Sequence, residues 1–185
     1  MSTQFSVGPT RDVQPGDTPD LNDSLLSRGI AAVNLQRGQA CFIKAGVVTV
    51  AAVADALAGY AAFVPVESVD NSGGGAGDLE ASGVTPPQRV ALAAEDSSAV
   101  LEPGDYVKIA ATSGEVEKWV VTTDDQRLKY ARYLGKEAAL LDRDAVTLFG
   151  ESLTPGIVPD QSLTPVTGAN VGWFQLMESQ GGAEV

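Results

Sequence analysis

Carboxylates are the side chains of this chain that recur at spacings able to do chemistry. Glu115 and Glu117 are two apart, Asp142 and Asp144 flank Arg143, and Asp124 and Asp125 are adjacent. On a strand, residues two apart share a face. Either spaced pair could hold Ca²⁺ or Mg²⁺. Paired carboxylates also serve glycosidases, whose grooves are lined with Trp and Tyr, but this chain has only two Trp and four Tyr. There is no twelve-residue calcium loop. Such pairs are ordinarily solvated faces, so neither a metal nor any other cofactor is expected, and no residue is assigned as catalytic.

The other usual carriers of chemistry are missing. The chain has no histidine and one cysteine, Cys41. Histidine is the commonest proton shuttle near neutral pH and a frequent metal ligand. One thiol without histidine cannot fill a usual zinc site. Cys41 sits in an apolar run, residues 39–43, and reads as a small buried hydrophobe. Neither Ser-x-x-Lys nor Gly-x-Ser-x-Gly occurs. The glycine run at residues 72–77 lacks the Gly-Lys-Ser/Thr of a phosphate loop and reads as a flexible connection. Lys129, Tyr130, Arg132 and Tyr133 form a basic-aromatic group, read as packing and salt-bridging residues. The composition points to a protein that acts as a surface and not as an enzyme.

The elements that would carry such a surface are mostly strands. Residues 30–36, 39–44 and 47–50 read as strands parted by Arg37-Gly38 and Ala45-Gly46, and these short turns suggest hairpins. Val50, Val53, Leu57, Tyr60 and Ala61 fit a helical stripe, so a short helix is expected over residues 51–62. A strand then runs from about Tyr60 to Val66. Residues 70–88 read as one long Gly/Pro loop. Residues 89–94, 105–111 and 115–121 are the clearest strands, with turns at Pro103-Gly104 and Ser113-Gly114. In the last of them Trp119 becomes a candidate edge or interface aromatic. Thr123 and Gln126 have the spacing of a capping box, and Leu128, Ala131 and Leu134 continue it, predicting a helix over 124–134. The Pro-rich stretch 151–166 holds an internal echo, Ser152-Leu153-Thr154-Pro155 and Ser162-Leu163-Thr164-Pro165, and reads as extended. Residues 172–178 read as a closing strand.

These elements predict a mainly β fold, a small β-barrel or sandwich with one or two short helices and an extended N-terminal arm. The expected organisation is an extended or disordered arm at 1–28, a β-rich domain at 29–178 and a flexible end at 179–185. At 44% hydrophobic residues a core can close, yet aromatics are only 6%. Ala and Val give little bulk per residue, so association is expected to add stability.

The net charge of −12 argues against nucleic acid as partner, because phosphate contacts need clustered Lys and Arg. It argues equally against an anionic membrane. Residues 45–66 are long enough for a span, but they are Ala- and Gly-rich and carry Asp55 at the centre, which costs about 3 kcal/mol on insertion. They read as buried core. Residues 1–10 lack a basic start followed by an apolar stretch, so no signal peptide is expected.

Three stretches carry a family likeness. Tyr133-Leu134-Gly135-Lys136-Glu137-Ala138, residues 153–160 and Val171-Gly172-Trp173-Phe174 resemble small structural proteins encoded beside the major capsid protein of tailed viruses. Residues 90–96 and 102–107 resemble the β-barrel part of head decoration, or cement, proteins of those viruses. The acidic, Lys-poor balance suits a virus of a salt-loving archaeon. The resemblance implies a non-enzymatic virion protein on the outer capsid surface. It would bind the major capsid protein, with a homo-oligomer, a trimer first, as its expected form. The arm would order on the lattice by strand addition. Candidate partner-binding residues are Phe5, Val7, Val13 and Leu21 in the arm, with Trp119, Trp173 and Phe174 as aromatic anchors. Two other readings stand beside this one. The first is another exposed virion component, such as a turret, fibre base or receptor-binding module. The second is a carboxylate- or metal-dependent enzyme.

Overall fold

A computed structural model describes residues 13–19, 26–50, 53–71, 79–111, 114–136, 161–166 and 170–178. Phe5, Val7, Leu21, the Asp142/Asp144 pair, the glycine run at 72–77, most of the Pro-rich stretch and the C-terminal end at 179–185 lie outside the described residues. The fold is mainly β, as the sequence predicts.

Five strands close into a barrel in the order β1-β3-β2-β4-β5. They are β1 Ser27–Ala31, β2 Cys41–Lys44, β3 Val47–Val50, β4 Ala61–Pro65 and β5 Glu80–Val84. The β2–β3 hairpin turns on Ala45 and Gly46, with φ of 48° and 82°. Two successive positive φ values match the twist of the flanking strands. Between β3 and β4 lies α1, Val53–Leu57, which ends at Gly59 with φ 77°, where a glycine meets no Cβ penalty.

The second sheet has the order β6-β10-β9-β7-β8. Its strands are β6 Arg89–Ala93, β7 Tyr106–Ile109, β8 Val116–Lys118, β9 Ala131–Gly135 and β10 Val171–Leu176. A parallel bridge from Ala94 to Val116 brings its two edges together at one end. Leu163, in the Pro-rich stretch, pairs antiparallel with Leu101. Each amide donates to the other's carbonyl at 2.8 Å.

Alternation along the strands divides the apolar residues into two clusters. Inside the barrel lie Ala31, Leu35, Cys41, Val48, Phe63 and Ala81. The neighbouring positions Phe42, Ala62, Val64 and Val84 point out of the barrel and pack onto the second sheet, against Leu92, Val107, Tyr130, Tyr133, Phe174 and Leu176. The Tyr130 hydroxyl stitches the two parts together. It accepts from the Cys41 amide at 3.1 Å, and its proton serves the carbonyls of Cys41 at 3.0 Å and Phe63 at 2.9 Å. Complete burial pushes its pKa well above that of a free phenol.

Three sequence expectations are corrected. The 70–88 loop contains the barrel strand β5, hidden because its bore-facing residues, Ala81 and Gly83, are small. The interior of β5 has room only for Ala81 and Gly83, since a Cβ on Gly83 would meet the Phe63 ring at 2.4 Å. The helix over 124–134 is only a 3-10 turn at Gln126–Leu128, capped by the Asp125 side chain on the Arg127 amide at 2.9 Å. Beyond it, Ala131 and Tyr133 alternate with Arg132 as β9, because ladders to β7 and β10 override the helical spacing. The strand expected at 30–36 is β1, ending at Ala31. It forms no hairpin with β2; it pairs parallel with β3 and antiparallel with β5. Within the arm, residues 13–19 lie on the body of the protein, where Gly16 and Asp17 pair with Ala91 on the outer edge of β6.

Candidate interaction surface

Edge strand β8 stops at Lys118, so Trp119 stands one residue past the ladder. Its amide still donates to the Tyr106 carbonyl at 2.9 Å, and its indole N–H donates to the Asp125 carbonyl at 3.0 Å. These two bonds fix a half-buried ring. Tyr106 on β7 meets it edge-on, with centroids 6.2 Å apart and planes at 85°. Into the angle between the two rings reaches Lys129, its Nζ 4.2 Å from the tyrosine centroid and 4.4 Å from the tryptophan. An ammonium so placed is attracted by both ring faces.

The turn after Trp119 carries the most exposed apolar residues of this region, Val120 and Val121, the latter 71% accessible. A charge lattice holds the turn in shape. Lys108 Nζ lies 2.7 Å from Asp124 and 3.3 Å from Glu117. Asp124 also accepts from the Val120 amide at 2.7 Å. The hydrogen bond to Asp124 raises the Lys108 pKa. At Asp124 burial works upward, but Lys108 and the Val120 amide outweigh it and the net shift is downward. Asp125, paired with Arg127 at 2.7 Å, is lowered to about 2 by the Arg127 guanidinium and amide.

Glu117, Asp124 and Asp125, which the sequence offers as chemistry, are thus all engaged with cations. Among the described residues no group of three or more Cys, Asp or Glu is gathered as a metal site. Cys41 is fully buried in the barrel, and burial raises its thiol to about 12. A cleft between α1 and the 3-10 turn, lined by Phe42, Tyr60, Leu128 and Tyr130, has room of about 10 Å³, the size of a single water.

The anchors proposed from sequence divide in three. Trp119 is at the surface. Phe174 is fully buried in the main cluster, tilted against Tyr133 at 5.1 Å, and so is closed to a partner. Trp173 is 4% exposed, and its indole nitrogen is buried without a hydrogen-bond partner. Val13 is half-buried at the start of the described arm residues, 13–19. The sequence reading missed Tyr106, whose alternation on β7 was the available signal. It also placed Lys129 among packing residues, whereas Lys129 belongs to this outward cluster. Tyr130 and Tyr133 are core, as that reading held.

Compared with known protein families, curated proteins and solved structures, the chain matches none.

Proposed function

We propose that this protein is a virion structural protein that decorates and stabilises the outer surface of a viral capsid, binding major capsid protein subunits and further copies of itself. The observation that carries this reading is the outward cluster of Trp119, Tyr106 and Lys129 beside exposed Val120 and Val121. A rigid aromatic with an apolar margin, presented from the end of a strand, has the make-up of an interface hot spot. The sequence likeness to head decoration proteins supplies the partner. A protein that binds only the mature lattice stabilises it by mass action, and repeated contacts over the lattice add avidity. The net charge of −12 keeps such a protein soluble and steers it from nucleic acid.

The test is to add purified protein to expanded heads that lack it. Saturable occupancy and a higher temperature of head disruption are expected. Trp119→Ala combined with Val121→Asp should weaken occupancy about 30-fold, the effect of losing a hot spot of about 2 kcal/mol, while the circular dichroism stays that of the parent. Unchanged occupancy of that variant removes the cluster from the reading. Failure of the parent protein to bind heads of any maturity removes the reading itself.

A further inference from the structure

The strand registers draw one line of outward side chains across the whole second sheet. Arg89 on β6 stands opposite Gln175 on β10, and Gln175 stands opposite Arg132 on β9. Arg132 in turn stands opposite Tyr106 on β7, whose carbonyl accepts from the Trp119 amide. Their neighbours in the strands, such as Val90, Leu176, Ala131 and Val107, point the other way into the core. With strands about 4.8 Å apart, the four steps make a row about 19 Å long. Arg89 and Arg132 are exposed along it, and Lys129 joins its far end over the two rings.

The positive charges of this row are unmatched. Among the described residues neither arginine nor Lys129 is paired with a carboxylate, although the chain carries twice as many acidic as basic residues. The carboxylates that flank the aromatic end are held by other cations: Asp105 by Lys118, Glu117 and Asp124 by Lys108, and Asp125 by Arg127. Arg132 Nε donates to the Gly104 carbonyl at 3.3 Å, which aims the guanidinium and leaves its two terminal nitrogens without a protein partner among the described residues. A guanidinium takes a carboxylate by two parallel bonds, so the complement of this row is a carboxylate brought from outside.

The rings decide what kind of anion fits. A single-stranded nucleic acid binds by stacking its bases on open aromatic faces. Here Lys129 Nζ lies over a face of each ring, 4.2 Å from the Tyr106 centroid and 4.4 Å from that of Trp119, and the two rings meet edge-on. The net charge of −12 also repels a polyanion as a whole. A short acidic segment of a protein escapes both objections. Its carboxylates meet the arginines, and its apolar side chains meet Trp119 and exposed Val120 and Val121. About six residues of extended chain, at about 3.3 Å each, cover the row.

We propose that the row of Arg89, Gln175, Arg132 and Tyr106, ending at Trp119 and Lys129, is a docking track for an extended acidic segment of the partner protein, with carboxylates on the two guanidinium groups and an apolar residue against the tryptophan. This rests on the reading above that the Trp119 face meets the partner, and it adds the chemistry that the partner's segment must present.

The experiment follows binding to the full chain by fluorescence anisotropy. The probe is a labelled peptide alternating Glu with Val; the same peptide with Gln for every Glu, and an oligo(dT) strand, are the comparisons. At low salt the Glu peptide should bind about tenfold more tightly than the Gln peptide. Arg89→Gln and Arg132→Gln should each weaken it about tenfold, the worth of one charge-assisted hydrogen bond, with the circular dichroism of the parent. Arg28→Gln, on the barrel and paired with Glu80, should leave it unchanged. Equal binding of the two peptides, tighter binding of oligo(dT), or no loss in the double variant Arg89→Gln/Arg132→Gln overturns the track. Expanded heads separate this outcome from the reading it rests on. If the double arginine variant occupies heads as the parent does while Trp119→Ala with Val121→Asp does not, the track is wrong and decoration stands. If the parent binds the Glu peptide but no heads, the track stands and the capsid is not the partner.

Discussion

The barrel and the second sheet are each built from five strands, but they are filled by different means. The barrel interior holds one aromatic, Phe63, among Ala31, Ala81, Cys41 and Val48. Even so it needs glycines to close: a Cβ on Gly29 would meet Val48 at 2.7 Å, and one on Gly83 would strike the Phe63 ring. The cluster between the barrel and the second sheet contains Tyr130, Tyr133 and Phe174 with four leucines, Leu92, Leu101, Leu163 and Leu176. A closed sheet of few strands has a narrow bore. The Ala-, Val- and Gly-rich composition that reads as a lightly filled core is thus what the bore demands, while the bulky residues serve the joint between the two parts.

The largest expected effect tests whether the barrel depends on its single ring. Phe63→Ala should cost about 3–5 kcal/mol in denaturant unfolding, as for other buried aromatics. Amides of β1–β5 should exchange faster than those of β6–β10. Equal acceleration in both sheets would erase the distinction and make the molecule one cooperative unit.

A smaller change sharpens the comparison at the seam. Tyr130→Phe keeps the ring, which stands edge-on to Phe42 at 5.6 Å, but deprives the Cys41 amide of its acceptor. A buried donor left unpaired costs about 1–3 kcal/mol. Urea unfolding followed by near-ultraviolet dichroism should show that loss. A variant as stable as the parent would mean the hydroxyl does not couple the parts.

The smallest effect lies at the far edge of the second sheet and depends on pH. Asp124 is lowered from 3.8. Its contribution is therefore present above that value and fades as pH falls through the lower folded value. Lys108 is raised above 10.5, so its contribution holds below that value and fades as pH rises past the folded one. The parent should lose stability below about pH 4 more steeply than Asp124→Asn. The difference at pH 7 should be about 0.5–1 kcal/mol, the range for a solvent-screened pair. Identical acid limbs for the two proteins would show that the pair only shapes the turn.

Much of this architecture was legible in residue order, and the exceptions have a common cause. Strands at 41–44, 47–50, 89–93, 106–109 and 171–176 announce themselves through apolar runs bounded by turns such as Ala45-Gly46 and Pro103-Gly104. Strand β5, Glu-Ala-Ser-Gly-Val, is silent because its bore positions are Ala81 and Gly83, the latter closed to any side chain by the Phe63 ring, and neither residue type marks a strand. Strand β9 misleads, since Leu128, Ala131 and Leu134 keep a helical period, while the partners that decide the matter, β7 and β10, are distant in the chain. The parallel β1–β3 pair skips over β2, which no local pattern encodes. Trp119 was legible as a surface aromatic from alternation alone. Tyr106 and Lys129 join it only through folding. The seating of residues 13–19 on β6 and Arg37 was invisible because Pro15-Gly16 and Arg37-Gly38 each read as mere chain breakers.

The joint that Gly16 and Asp17 make with Ala91 on the β6 edge, with Asp17 paired to Arg37, has a mechanical consequence. Tension applied to the chain ahead of Val13 reaches the β6 edge and Arg37 before it reaches β1. The main-chain hydrogen bonds to Ala91 and the Asp17–Arg37 ion pair must rupture before any barrel strand is loaded. The joint is a fuse: a tug on the N-terminal residues is absorbed where the hydrophobic interior takes no part, and the barrel keeps its shape while the fuse gives way and reseats.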